Sequence, residues 1–216
     1  MPMARHDGVW DMVFAGARAA ADEALARREG PGRALAGEAE SVARACHDMA
    51  VRFHRGGKLI VFGNGGSATD SSHVAVEFVH PVIVGKRALP AMALTNDPPT
   101  LTGVANREGF AEVFAHQLQC FADRDDIALG LSPDGRCANV LRGLETGREL
   151  GLLTVALTGG DGGPIAASPA VDHVVVARSS DPSVVKEMHV TTYHILWELV
   201  HVFFEHPGTL DPAVIK

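Results

Sequence analysis

A histidine and a glutamate stand four residues apart, at positions 73 and 77, and are the clearest candidates for acid–base or metal chemistry in the sequence. Residues at i and i+4 share one face of a helix, so the imidazole of His73 and the carboxylate of Glu77 would point the same way. Such a pair can hold a metal ion or transfer protons. It is also common on a solvated helix surface, so its surroundings must decide between these interpretations.

A glycine-rich loop comes just before this pair. The segment Gly63-Asn64-Gly65-Gly66-Ser67 follows the apolar run at 58–62 and opens the stretch that contains His73. Glycines let backbone N–H groups approach an anion, and a helix N-terminus favours negative charge. The loop therefore predicts an anion site. Its glycines also fit a loose dinucleotide fingerprint, but residues 83–88 lack the acidic residue which that fingerprint needs, so we expect no nucleotide cofactor.

Two further polar loops follow apolar runs. Asp97 ends one run, where its carboxylate could contact a ligand hydroxyl or cap a helix. The other loop is Ser132-Pro133-Asp134-Gly135-Arg136-Cys137, in which Ser132 and backbone N–H groups could bind an anion. Asp134 would repel a phosphate there. Arg136 could offset that repulsion, either by contacting the phosphate or by neutralising Asp134.

These loops lie between short apolar runs and amphipathic stretches. The apolar runs are typical of buried parallel strands and lie at 58–62, 91–94, 127–131, 152–157 and 174–176. Helical patterns cover 68–80, 110–121, 136–150 and 183–205, and two more helices, at 9–28 and 33–54, are separated by the breaker Arg-Glu-Gly-Pro-Gly. Strand alternating with helix predicts an α/β fold with a five-stranded parallel sheet covered on both faces. Ligands bind such sheets beyond the carboxyl ends of the strands.

Composition excludes several classes of protein. The chain has 216 residues, 46% of them hydrophobic, and a formal net charge of −7, so we expect no nucleic-acid partner. No apolar run reaches the about 18 residues of a membrane span. The three cysteines are too widely spaced for a disulfide framework or a CxxC motif. Asp7 and Asp11 interrupt the apolar core that a signal peptide would need, so we expect a cytoplasmic protein with no membrane partner.

The ordered set of motifs resembles the SIS (sugar isomerase) domain family and, within it, the phosphoheptose isomerases. The likeness covers nearly the whole chain. It rests on Gly63-Asn64-Gly65-Gly66-Ser67, His73-x-x-x-Glu77, Leu94-Thr95-x-Asp97, Val104-x-Asn106-x-x-Gly109-Phe110, Leu157-Thr158-Gly159-x-Asp161-Gly162-Gly163, and Glu187-Met188-His189 with His194. The resemblance implies a flavodoxin-like three-layer sandwich that forms one SIS domain over 1–216. Within it we expect a helical pair at 1–56, an α/β core at 57–206 and a tail at 207–216.

The resemblance also implies an activity, the interconversion of sedoheptulose 7-phosphate and D-glycero-D-manno-heptose 7-phosphate through an enediol. Glu77 and His194 would be the acid–base pair, and Asp97 would contact the substrate. The phosphate would be held by the Asn64–Ser67 loop (Asn64, Gly65, Gly66, Ser67) and by the Ser132 loop. Members of the family are commonly homotetramers with active sites at subunit interfaces, so we expect a homo-oligomer.

Two positions depart from the family pattern. The family loop Ser-Thr-Ser-Gly-Asn-Ser reads Ser132 to Cys137 here, which keeps one hydroxyl and adds a carboxylate. Zinc, where the family uses it, would bind His73, Glu77, His194 and a glutamine that is Lys186 here. A protonated lysine cannot be a ligand, but Lys186 could pair with Glu77 or supply the positive charge itself.

These departures leave three hypotheses open. The first is an active sugar-phosphate isomerase, in which Asp134, Arg136, Cys137 and Lys186 join the substrate-binding residues. The second is an isomerase-like enzyme retuned to another ligand. The third is a non-catalytic SIS protein that binds sugar phosphates or serves as an assembly scaffold, like the replication-initiator-associating SIS protein of bacteria.

Overall fold

A parallel five-stranded sheet forms the centre of the computed structural model, which describes residues 7–81 and 83–210. Its strand order is β2-β1-β3-β4-β5, and every neighbouring pair is parallel. This is the flavodoxin-like order, so the predicted α/β fold with two preceding helices is confirmed. The strands are β1 (Leu59–Gly63), β2 (Ala91–Ala93), β3 (Ile127–Ser132), β4 (Leu153–Gly159) and β5 (His173–Ala177).

Helices cover both faces of this sheet. In the described part of the chain they are α1 (Asp7–Gly37), α2 (Ala39–His54), α3 (Gly66–Val79), α4 (Pro98–Glu108), α5 (Val113–Phe121), α6 (Ala138–Glu149), α7 (Gly163–Ala167) and α8 (Pro182–Phe204). Two short 3₁₀ turns, Phe110–Glu112 and Pro207–Thr209, complete the set. None of the described helices has the length and hydropathy of a membrane span.

The alternation of side chains along the strands produces two cores. In β1, Leu59 and Val61 pack into the core formed with α2, α3 and α8, while Ile60 and Phe62 pack into the core formed with α4, α5 and α6. Burial on both faces explains why the strands read as continuous apolar runs. The sheet is therefore the middle layer of a three-layer sandwich.

The predicted break between the first two helices is wrong in position. Pro31 lies inside α1, which continues to Gly37, and the chain breaks at residue 38. Proline removes one helical hydrogen bond, but packing can outweigh that local cost. Leu35 is buried in the core beyond the proline, which holds the last turn of α1 in place.

Two short helices have no counterpart among the predicted elements. Helix α4 begins with two prolines, and α7 is five residues long, so neither has a clear apolar period in the sequence. At the other end of the chain, residues 211–216 of the predicted tail lie outside the described residues.

Candidate active site

The carboxyl ends of β1, β3 and β4 surround a cavity of about 590 Å³, which is bordered on one side by the start of α8. A second cavity of about 200 Å³ shares Pro133, Pro182 and Val185 with it, so the two form adjoining parts of one cleft. The cleft lies where ligands bind in open parallel sheets. Of the predicted site residues, Asn64, Gly65, Asp134, Arg136 and Cys137 line the larger part, and Gly66, Ser67 and Lys186 line the smaller.

The glycine-rich loop joins β1 to α3, and its first residue is packed tightly against neighbouring atoms. A Cβ atom at Gly63 would lie 2.7 Å from the Cβ of Ser67 and 2.8 Å from the carbonyl oxygen of Leu131, so only glycine fits. The amide side chain of Asn64 exchanges two hydrogen bonds of 2.8 Å with that of Asn139 at the start of α6. This pair ties the β1 loop to the element that follows the β3 loop. Asn139 was not predicted, because no sequence motif marks it.

The structure brings His73, Glu77 and His194 together. One potential ligand atom from each lies within 4.8 Å of the other two. Nε2 of His73 is 3.1 Å from a carboxylate oxygen of Glu77, and Nδ1 is 2.9 Å from the hydroxyl of Tyr193. Helix α3 therefore supplies the histidine and glutamate, and α8 supplies both His194 and the tyrosine that orients the His73 ring.

The same three side chains fit a divalent metal ion. Two imidazoles and one carboxylate are a donor set that zinc accepts, and three protein ligands leave a position open for substrate. The hydrogen bond between Tyr193 and His73 is of the kind that orients a ligating imidazole. Lys186 adds no ligand, since its ammonium group bonds elsewhere.

Lys186 pairs with Asp70, and the suggested pairing with Glu77 is wrong. Its Nζ lies 2.6 Å from a carboxylate oxygen of Asp70 and 3.1 Å from the carbonyl oxygen of Gly66. The side chain of Asp70 is almost fully buried, and a buried carboxylate requires such a partner. Asp70 was missed, although its spacing from His73 and Glu77 places all three on one face of α3 and could have revealed it.

The buried imidazole of His189 borders the smaller cavity beside this ion pair. Its Nε2 lies 3.0 Å from the carbonyl oxygen of Thr158 on β4. Burial lowers the pKa of His189, so the ring is neutral at physiological pH and donates Nε2–H to that carbonyl. The smaller cavity thus combines an ion pair with a neutral imidazole. Helix α3 carries both Asp70, which lines this cavity, and His73, about one turn further along.

The β3 loop differs from what its sequence suggested. The side chain of Arg136 donates to the carboxylate of Asp161, at 2.9 and 3.2 Å, and does not pair with Asp134. Asp134 accepts the backbone N–H of Arg136 at 3.0 Å and the hydroxyl of Ser132 at 3.4 Å. Neutralisation of Asp134 by the Arg136 guanidinium is therefore not what the structure contains. Cys137 precedes α6 and donates its backbone N–H to the Ser132 oxygen at 3.3 Å.

Asp97 is the N-cap of α4, one of the two roles its sequence position allowed. Its carboxylate accepts the backbone N–H and the hydroxyl of Thr100, at 3.1 and 2.6 Å. These two hydrogen bonds lower the pKa of Asp97, so the carboxylate is ionised at neutral pH. It lines neither part of the cleft, and contact with substrate stays a prediction.

Comparisons with known proteins agree with this architecture. The family model described as "SIS domain" matches residues 26–159. A phosphoheptose isomerase of Solidesulfovibrio magneticus is 40% identical over 192 residues, which are 88% of this chain and 91% of that protein. One from Desulfovibrio desulfuricans is 41% identical over 76% of this chain and 78% of its own.

A solved structure shows the same similarity in three dimensions. The phosphoheptose isomerase of Neisseria gonorrhoeae superposes with a TM-score of 0.77 at 27% identity, covering 85% of this chain and 97% of that one. The family model, the curated relatives and the fold all lead to the same assignment. The chain belongs to the SIS domain family, and its relatives there are phosphoheptose isomerases.

Proposed function

We propose that the chain is a ketose–aldose isomerase that converts sedoheptulose 7-phosphate to D-glycero-D-manno-heptose 7-phosphate. The observation that carries the proposal is the placement of Glu77 and His194 within 4.8 Å of each other, on the two helices, α3 and α8, that also line the smaller cavity. The relatives named phosphoheptose isomerases, at about 40% identity over most of the chain, support this substrate.

The isomerisation moves one carbon-bound proton and one oxygen-bound proton. A base removes the proton from C1 of the ketose while the C2 carbonyl oxygen gains a proton, which gives the enediol. The C1 hydroxyl then loses its proton, C2 gains one, and the aldose forms. Glu77 and His194 are close enough to serve the two adjacent carbons, with the carboxylate acting on carbon and the imidazole on oxygen. His73 holds the carboxylate in place.

We also propose that His73, Glu77 and His194 hold a zinc ion. When bound, zinc would polarise the substrate carbonyl and so favour loss of the neighbouring proton. The ion pair of Lys186 with Asp70 keeps that lysine away from the carboxylate of Glu77, which leaves the carboxylate free for either role.

A homo-oligomer, with four copies as the expected number, completes the proposal. The first turns of α1 expose a set of apolar side chains whose burial would stabilise an association: Val9, Trp10, Met12, Val13 and Phe14. Helix α1 also reaches α8, where Arg28 binds Glu187 through two contacts of 2.6 and 2.7 Å. An interface on α1 would thus be linked to the helix that carries His194.

Turnover by active-site variants tests the proposed reaction. We expect the purified protein to convert sedoheptulose 7-phosphate to an aldose, and NMR follows the appearance of that product. Glu77→Gln and His194→Gln should each reduce kcat about 10²–10⁴-fold, the usual contribution of a positioned acid or base. Glu149→Gln, an exposed change at the end of α6, is the matched control and should be active. Full activity of Glu77→Gln would contradict the proposed mechanism.

One observation favours a second candidate, an isomerase retuned to another ligand. The carboxylate of Asp134 accepts hydrogen bonds from the Ser132 hydroxyl and from a backbone N–H of the same loop. By the resemblance, the family uses this loop to bind phosphate. The same assay with unphosphorylated ketoses separates the two candidates. Faster turnover of an unphosphorylated ketose would favour the retuned enzyme.

A further inference from the structure

The larger part of the cleft has a single positively charged side chain among its described lining residues, that of Arg136. Its guanidinium contacts the carboxylate of Asp161, and the two side chains are 55% and 71% exposed. An ion pair in such contact with water contributes little to stability. The guanidinium can therefore exchange Asp161 for a stronger anion at little cost.

The β3 loop has few donors left for a phosphate. The hydroxyl of Ser132 donates to Asp134, as does the backbone N–H of Arg136. An entering phosphate would also meet two carboxylates, those of Asp134 and Asp161, on the walls of the cavity. Within the β3 loop, any strong attraction must therefore come from the guanidinium.

The backbone fixes where this guanidinium can act. Gly135 has a φ of +69°, and a Cβ there would lie 1.9 Å from the carbonyl oxygen of Gly162. The carbonyl of Gly135 accepts the N–H of Ile165 at 3.1 Å. The β3 loop is thus packed directly against the β4 loop, and this fixed backbone places both Arg136 and Asp161 on the wall of the cavity.

We propose that Arg136 selects phosphorylated substrates in this chain by exchanging Asp161 for the substrate phosphate, and that Asp161 sets the affinity by competing. A guanidinium binds phosphate through two parallel hydrogen bonds, and a dianion attracts it more strongly than a carboxylate does. This inference rests on the proposed function, because it assigns the phosphate end of that substrate.

Two variants with opposite expected effects test the exchange. Arg136→Gln should raise KM for sedoheptulose 7-phosphate about tenfold to a hundredfold with kcat nearly unchanged, because the contact is remote from the reacting carbons. Asp161→Asn should lower KM by up to about fivefold. An asparagine can still accept the N–H of Gly163, which Asp161 accepts at 3.0 Å, so the turn is preserved. Arg44→Gln removes a guanidinium from an exposed pair with Glu40 and should change neither constant.

Calorimetric binding of inorganic phosphate separates this inference from the proposed function. The dissociation constant should rise in Arg136→Gln and fall in Asp161→Asn. Turnover of the sugar phosphate with KM unchanged in Arg136→Gln would overturn the inference and leave the function standing. Absence of turnover with the predicted shifts in phosphate binding would support the inference and contradict the function. A raised KM in Asp161→Asn would show that Asp161 supports the loop and does not compete.

Discussion

Single residues on α8 determine which charges lie beside the cleft. Lys186 is neutralised by Asp70, and His189 is buried next to that pair with its Nε2–H on Thr158. The sequence predicted Lys186 as a site residue but not its partner Asp70. The spacing of Asp70 from His73 indicated a shared helix face, but the burial of its carboxylate depends on the packing of α3 against α8, which a linear pattern does not report.

The buried His189 predicts a pH dependence of stability. Burial lowers the pKa of His189 below its ordinary value of 6.5. The hydrogen bond to the Thr158 carbonyl and the charge of Asp70 oppose this shift, and the charge of Lys186 adds to it. Just below pH 6.5, His189 is therefore protonated in the unfolded chain but still neutral in the folded chain. The free energy of unfolding is fully retained above pH 6.5 and falls as the pH drops from there toward the lowered pKa.

Urea unfolding between pH 7.5 and pH 5.5 measures this effect. His189→Gln, whose side-chain amide can also donate to Thr158, should flatten the pH dependence in this range. His54→Gln, at an exposed histidine, should leave it unchanged. An equal slope in the wild type and in His189→Gln would contradict the assignment.

At the scale of elements, close packing of helices on the sheet fixes the positions of the loops. All five strands were predicted within one or two residues, because continuous apolar runs are a strong local signal. The end of α1 was predicted wrongly. Gly30, Pro31 and Gly32 are typical of a helix break, but the packing of Leu35 into the core stabilises the helix beyond them. Helix α6 shows how tight the packing is, and its Gly143 lies against the ring of Phe62.

Two glycine substitutions compare packing with helix propensity. A Cβ at Gly143 would lie 2.8 Å from the ring of Phe62 and 3.2 Å from the Cβ of Phe114, so Gly143→Ala should destabilise the fold by about 1–3 kcal/mol. Gly103 in α4 has no atom within 4 Å of such a Cβ, so Gly103→Ala should stabilise it by about 0.5–1 kcal/mol. Chemical denaturation measures both. Equal effects of the two substitutions would show that α6 is not packed as described.

At the scale of the whole molecule, the start of α1 is an apolar surface that a single chain leaves exposed. Trp10 is 68% exposed and Phe14 64%, whereas every residue of β1, β3 and β4 is buried. The amphipathic pattern of this helix was evident in the sequence. Its partner was not, because one chain carries no information about the symmetry of an assembly.

Replacement of these side chains tests the proposed assembly. We expect light scattering to give the mass of four chains for the wild type and a smaller mass for Trp10→Ser/Phe14→Ser, because the association would lose apolar area. Leu150→Ser, at an exposed apolar residue that directly follows α6, should keep the wild-type mass. A wild-type protein that is monomeric at micromolar concentration would contradict the proposal.

The central claim is that Glu77 and His194 transfer protons through an enediol. Incorporation of solvent deuterium tests this claim most directly. The protein is incubated with sedoheptulose 7-phosphate in D₂O, with and without zinc, and carbon-bound hydrogen is followed by NMR. The account predicts deuterium at C1 of the ketose and C2 of the aldose, which is lost in Glu77→Gln and His194→Gln. Absence of exchange in the wild type, beside an active phosphoheptose isomerase under the same conditions, would contradict it.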